Sequence, residues 1–211
     1  AERFVLALAE AAAMMQGDES YAGARSWYRF ESVLKEITGH DFIFPTHQGR
    51  AAERILCDAI VKKGDVIPNN SHFDTTRANV EFTGALALDL LEDSAADTAA
   101  KIPFKGNMYL NKLKAVIEEH GAEKIPFCMI TVTNNTGGGQ PVALENIRKT
   151  KELLKQYNIP LVLDACRFAE NAYFISQRED ANKGRALMEI AQEMFSYADA
   201  STMSAKKDGL V

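Results

Sequence analysis

The segment Ser204-Ala205-Lys206-Lys207-Asp208 sets two amines behind a hydroxyl, directly after an apolar run with strand character. A lysine that is partly desolvated, or set beside a second cation, has its pKa lowered and can condense with a carbonyl as a Schiff base. Spacing does not choose between Lys206 and Lys207, and taken alone the segment reads more simply as a solvated basic turn. Upstream, Gln48-Gly49 opens a helix-period stretch. There the free first-turn amides and the positive end of the helix dipole could hold a phosphate, although a glycine at a helix start can also be purely structural. Asp164 closes the apolar run Ile159 to Leu163, so its carboxylate is expected partly desolvated and in need of a cation. Arg167 or a protonated ring nitrogen would serve; a plain Asp164–Arg167 ion pair or a helix cap is the alternative. Phe73 lies between polar residues and could stack on a flat ligand or pack in the core. Asn135 opens a glycine-rich turn in which it could equally be a turn former.

Something must bring these residues together. Apolar runs alternate with helix-period segments, the pattern of an α/β protein with a mainly parallel sheet covered by helices. Strands are expected at Asp41 to Pro45, Asp65 to Pro68, Ala85 to Leu90, Pro126 to Thr133, Pro160 to Asp164 and Ala198 to Ser204. Helices are expected at Arg25 to Thr38, Gly49 to Val61, Leu110 to His120, Ala143 to Tyr157 and Ala186 to Phe195, with an Ala-rich opening helix over Ala1 to Met15. Asp93 to Lys105 reads as a loop excursion, and no internal repeat or low-complexity tract is visible. In open α/β sheets ligands sit outside the carboxyl ends of the strands, where Gln48, Phe73, Asn135, Asp164, Ser204 and the lysines all fall. Jointly they match the needs of pyridoxal phosphate: a phosphate cradle, an aromatic face, an acid for the ring nitrogen, polar groups for the ring oxygen and an amine for the aldehyde.

The bulk properties are compatible with such an enzyme. The 211 residues are 46% hydrophobic, enough for a substantial core. A formal net charge of -5 with scattered basic residues argues against nucleic acid as a partner. Cys57, Cys128 and Cys166 are odd in number and set among apolar residues, which suits reduced core thiols. His40, His47, His72 and His120 lack metal-ligand spacing. No apolar run reaches the ~18 residues of a membrane span, so the expectation is a soluble, cytoplasmic protein with no membrane partner.

Four longer motifs narrow the reading. Pro45-Thr46-His47-Gln48-Gly49-Arg50-Ala51-Ala52-Glu53, Gly139-Gln140-Pro141-Val142, Arg167-Phe168-Ala169-Glu170-Asn171-Ala172-Tyr173-Phe174-Ile175 and Met203-Ser204-Ala205-Lys206-Lys207-Asp208 closely resemble the beta-eliminating lyases, the family of tryptophanase and tyrosine phenol-lyase. The resemblance runs from about Met15 to the last residue. It implies a fold-type I large domain that binds pyridoxal phosphate, with Lys207 carrying the cofactor and moving the substrate's alpha proton. It further implies that Gln48, Gly49 and Ser204 hold the phosphate, Phe73 stacks on the ring, Asp164 pairs with the ring nitrogen, and Asn135 and Arg167 lie near the ring hydroxyl. Arg50 and Asp74 join Lys207 as catalytic positions. Tyr21 matches an acid that protonates the leaving group from across a subunit interface, and Glu19 a ligand of a monovalent cation, usually potassium.

The reaction implied is beta-elimination from an aromatic amino acid, yielding pyruvate and ammonia. Phe73-Asp74-Thr75-Thr76 and Ala205 look more like tryptophanase, releasing indole from L-tryptophan, than tyrosine phenol-lyase, releasing phenol from L-tyrosine. Family members run to about twice this length. The chain is therefore expected to be a partial large domain, lacking an N-terminal arm segment, the small C-terminal domain and the arginine that grips the substrate carboxylate. By itself it is expected to carry a cofactor-type site without lyase turnover, within a homodimer or homotetramer. A remnant acting only in association, and another pyridoxal-phosphate enzyme such as an aminotransferase, are the rival readings.

Overall fold

The computed structural model describes residues 12–18 and 23–209. Its contacts divide the chain into two units, Ala1–Ile43 and Phe44–Val211. In the first unit, helix α1 (Arg25–Thr38) starts beneath Asp18, whose carboxylate accepts the amides of Arg25 and Ser26 at 2.7 and 2.9 Å. Hydrogen bonds from the hydroxyl and amide of Ser26 hold that carboxyl well below the usual range. Gly39, left-handed at φ 69°, ends the helix by donating its amide to Lys35 O at 2.8 Å. Of the expected opening helix, only 12–15 are described, and they are helical.

The second unit runs α2 (Gly49–Ile60), β1 (Val66–Asn69), α3 (Asp74–Phe82), β2 (Leu86–Asp89), α4 (Leu110–His120), β3 (Cys128–Thr131), α5 (Leu144–Lys155), β4 (Leu161–Asp164), α6 (Phe168–Arg178), α7 (Leu187–Ser196) and β5 (Ala200–Thr202). The five strands form one parallel sheet in the order β2-β1-β3-β4-β5. Every residue of β1, β3 and β4 is buried, as expected when helices cover both faces. No helix among the described residues is long and apolar enough to cross a membrane.

Strand alternation explains where a site can form. Ile67, Met129 and Val162 pack with Cys57 and Val61 of α2 and its exit and with Val80 of α3 in one apolar cluster, against which Ala200 also packs. Two residues further along the same strands, and so on the same face, come Asn69, Thr131, Asp164 and Thr202. Register confirms part of the row, because Thr131 pairs with Asp164 and Asp164 with Thr202. The face under α2 and α3 is thus apolar at its base and polar at its carboxyl end.

Two expectations need correction. Asp41 to Pro45 is not a strand; Phe42 and Phe44 are 78% and 82% exposed, and the described sheet takes no strand from this segment. Period-two alternation of apolar residues makes a strand only where a neighbour supplies hydrogen bonds and a face to bury against. Helices α3 and α6 were not expected, because their motifs read as polar strand exits. Their buried stripes, Thr76 and Val80 in α3 and Phe168, Ala172 and Ile175 in α6, follow helical spacing.

Candidate active site

Helix α2 has no side-chain cap, so its first amides remain open where Gln48, Gly49 and Arg50 line a cavity of about 220 Å³. The exit of β5 adjoins it and adds Met203, Ser204, Lys206 and Lys207 to the lining. A Cβ on Gly49 would lie 2.7 Å from Ser204 Cβ and 3.0 Å from Ser204 Cα, so only glycine lets the helix start approach that hydroxyl-bearing turn. Gly49→Ala is therefore expected to push α2 away from Ser204 and to weaken anion binding at least tenfold. Overpacking of this kind costs about 1–3 kcal/mol. Isothermal titration with phosphate checks it; unchanged affinity would mean the close approach is irrelevant to binding.

The floor is the polar row. Asp164 ends β4 with 6% exposure, and its carboxyl is pushed up to about 7 by burial first and by the charge of Glu53 second. Lys207, the amide of Cys166 and the hydroxyl of Thr131 pull the other way. Asn69 Nδ2 donates to Thr131 Oγ1 at 3.3 Å, continuing the row into β1. Thr202 also lines the cavity, and its hydroxyl is buried with no hydrogen-bond partner. Such an orphan needs an explanation, and a polar group bound in the cavity would supply one.

The remaining walls come from two loops. Phe73, half-buried, and Thr75 reach the cavity from the start of α3. Asn135 and Arg167 meet there, Arg167 Nη1 donating to Asn135 Oδ1 at 2.5 Å, while the Arg167 amide donates to Val132 O at 3.1 Å. The lysine turn is pinned to α6, since Asp208 Oδ2 accepts the amide of Glu170 at 2.9 Å and the Asp208 amide donates to Cys166 O at 3.4 Å. Within that turn Lys206 is exposed and Lys207 half-buried. It is the charge of Lys207 that acts on Asp164 and Cys166.

The structure thus brings Gln48, Gly49, Arg50, Phe73, Asn135, Asp164, Arg167, Ser204 and Lys207 to one cavity. Asp74 is not among its lining residues; it is exposed and accepts the amide of Thr75 at 2.6 Å. Tyr21 and Glu19 lie outside the described residues. Sequence reasoning missed Glu53, Thr131 and Thr202. Glu53 left a signal, since it sits four and eight positions before Cys57 and Val61 and so puts a carboxylate on the apolar stripe of α2.

Known proteins match at both levels. The model of the beta-eliminating lyase family matches residues 6–211. The tryptophanase of Salinibacter ruber is 56% identical over 206 residues, which are 98% of this chain and 44% of that protein. The tyrosine phenol-lyase of Fusobacterium nucleatum is 47% identical over 198 residues, 94% of this chain and 43% of that one. The chain therefore spans less than half the length of these curated relatives. Among solved structures, a pyridoxal-phosphate-bound C–S lyase of Staphylococcus hominis shares the fold with a TM-score of 0.61 at 14% identity, covering 98% of this chain and 50% of its own. A putative aromatic amino acid beta-eliminating lyase/threonine aldolase of Exiguobacterium gives 0.57 at 17% identity, covering 90% and 47%. The match along nearly the whole length, with identity above half to one member, shows that the chain belongs to the beta-eliminating lyase family.

Proposed function

We propose that this chain forms the cofactor-binding part of a pyridoxal-phosphate-dependent lyase that removes the side chain of L-tryptophan, giving indole, pyruvate and ammonia. The observation that carries the reading is the shared cavity of a glycine-opened helix start against Ser204, a buried Asp164 and a half-buried Lys207. Those groups fit the cofactor by their chemistry. Open amides and a hydroxyl suit a phosphate, a buried carboxyl suits a ring nitrogen, and the unpartnered Thr202 hydroxyl marks a cavity built for a polar occupant. When bound, pyridoxal phosphate supplies an electron sink for the negative charge left at the substrate's alpha carbon.

The chain's own residues would do the rest. Gln48, Gly49 and Ser204 bind the phosphate, and Phe73 covers one face of the ring. Asp164 holds a proton at the ring nitrogen, while Asn135 and Arg167 address the ring oxygen. Lys207 anchors the cofactor and carries the alpha proton. Arg50, at the mouth of α2, adds positive charge beside the phosphate position. Tyr21 would donate the proton that lets the aromatic group leave, acting from a second subunit of a homodimer or homotetramer, and Glu19 would ligate potassium.

Tyrosine phenol-lyase relatives match the same stretch, which keeps L-tyrosine, with phenol as product, as a second reading. Phe73-Asp74-Thr75-Thr76 and the higher identity to a tryptophanase favour indole. The test is made in a protein of the relatives' length that contains this chain, loaded with pyridoxal phosphate and assayed without a keto-acid acceptor. Indole with equimolar pyruvate and ammonia from L-tryptophan is expected. Phenol from L-tyrosine alone would shift the reading to the second substrate, and amino-group transfer without ammonia release would reject elimination altogether.

A further inference from the structure

Glu53 is a carboxylate inside helix α2, 8% exposed, and it lines the cavity floor. Burying a charge is costly unless it is paired or hydrogen-bonded. No ion pair reaches it among the described residues; three donors of α3 do instead. Thr75 Oγ1 donates to Glu53 Oε2 at 2.9 Å, Thr76 Oγ1 to Oε1 at 3.1 Å and Asn79 Nδ2 to Oε2 at 3.4 Å. The arrangement ties the helix that begins at Gly49 to the helix whose first turn carries Phe73 and Thr75. One side chain thus couples the anion-binding end of the cavity to its aromatic wall.

Its charge has a second effect. Asp164, at the end of β4, lines the same cavity as Glu53 of α2, Thr131 of β3, Cys166 and Lys207 of the β5 exit, and the charge of Glu53 raises its carboxyl while that of Lys207 lowers it. The wider cavity adds Arg50, Arg167 and Lys206. A glutamine would keep part of this tie, its carbonyl oxygen accepting from α3 while its amide, a donor only, could meet a threonine hydroxyl turned to accept. The carboxylate in addition places a negative charge in the cavity that the Asp164 carboxyl also lines.

We propose that Glu53 is a positioning residue that fixes the start of α3 against α2 and holds its charge in the cavity where it acts on Asp164. The role in catalysis rests on the function proposed above; the coupling to Asp164 does not, and it can be read without cofactor. The experiment is a carbon-13 NMR titration of the Asp164 carboxyl in the cofactor-free protein, with Glu53→Gln and Glu53→Asp. Removing the neighbouring negative charge is expected to move the Asp164 midpoint toward acid by about half to one pH unit. Glu53→Asp keeps the charge and should restore most of the difference. Should Glu53→Gln fail to fold, Thr76→Val removes one anchor and keeps the charge, and is expected to leave the Asp164 midpoint in place while weakening pyridoxal phosphate binding several-fold. An Asp164 midpoint unmoved in a folded Glu53→Gln variant overturns the proposal, as does unchanged cofactor affinity in Thr76→Val. A shifted midpoint in a protein that fails to bind pyridoxal phosphate would uphold the coupling and reject the function.

Discussion

Lys207→Ala is expected to abolish covalent capture of pyridoxal phosphate, while Lys206→Ala retains it with at most about a tenfold loss of affinity. The two amines are adjacent in sequence but not in environment. Lys206 is exposed, whereas Lys207 is half-buried and close enough to Asp164 and Cys166 for its charge to act on both. Asp208 fixes that difference by gripping the start of α6 with its carboxylate and the carbonyl of Cys166 with its amide. Borohydride reduction of the loaded protein followed by peptide mass mapping reads the attachment site directly. Label on Lys207 is expected in the unaltered protein and none in Lys207→Ala. Turnover in a protein of the relatives' length that contains this chain should fall by at least about a thousandfold if, as proposed, one residue both anchors the cofactor and moves a proton. Label found on Lys206 in either protein would sink the assignment.

Asp164→Asn carries the other large effect, and it has two parts. In a cofactor-loaded protein of the relatives' length, loss of the acid proposed for the ring nitrogen should cost roughly 10²–10⁴ in rate, the range of a positioned proton-holding group. In the cofactor-free chain the same change should be stabilising at alkaline pH. The Asp164 carboxyl titrates at about 7 in the folded protein against 3.8 for an unperturbed aspartate. Between those values the folded state keeps a proton that the unfolded chain has released. The associated stability is present below about pH 4 and lost as pH rises through about 7. Each tenfold difference in proton affinity between the folded and unfolded chain is worth about 1.4 kcal/mol, so the whole loss is on the order of 4 kcal/mol, the cost of charging a buried, weakly paired carboxylate. Thermal melts should therefore show Asp164→Asn above the unaltered protein at pH 8 and the two converging at pH 4. A variant that melts lower at pH 8 would mean that Asp164 is stabilised by partners beyond Lys207, Cys166 and Thr131.

Some elements were legible in the chain itself. Helices α1 and α4 fall where their periodicity predicts, because each carries an amphipathic stripe and ends at a glycine, Gly39 and Gly121. Strands β1 to β5 follow from apolar runs broken by polar exits. Asp41 to Pro45 shows the limit: Phe42 and Phe44 alternate as in a strand, yet no neighbouring strand accepts them. The cavity lining was legible at the ends of β4 and β5, as at Asp164 and Ser204, and at the helix start Gln48-Gly49, which follows no strand. Asp74 stands in the same motif as Phe73, yet it is exposed and absent from the cavity lining, its carboxylate accepting the Thr75 amide at the start of α3.

By itself, the sequence determined the α/β alternation, the polar strand exits and the motifs of the beta-eliminating lyase family, all of which depend on local spacing and residue type. Only the tertiary structure gave Lys206 and Lys207 different exposure, brought the charge of Glu53 to bear on Asp164, and left the Thr202 hydroxyl buried without a partner. Those outcomes depend on burial and on charges from distant parts of the chain meeting at short range, which no local pattern encodes.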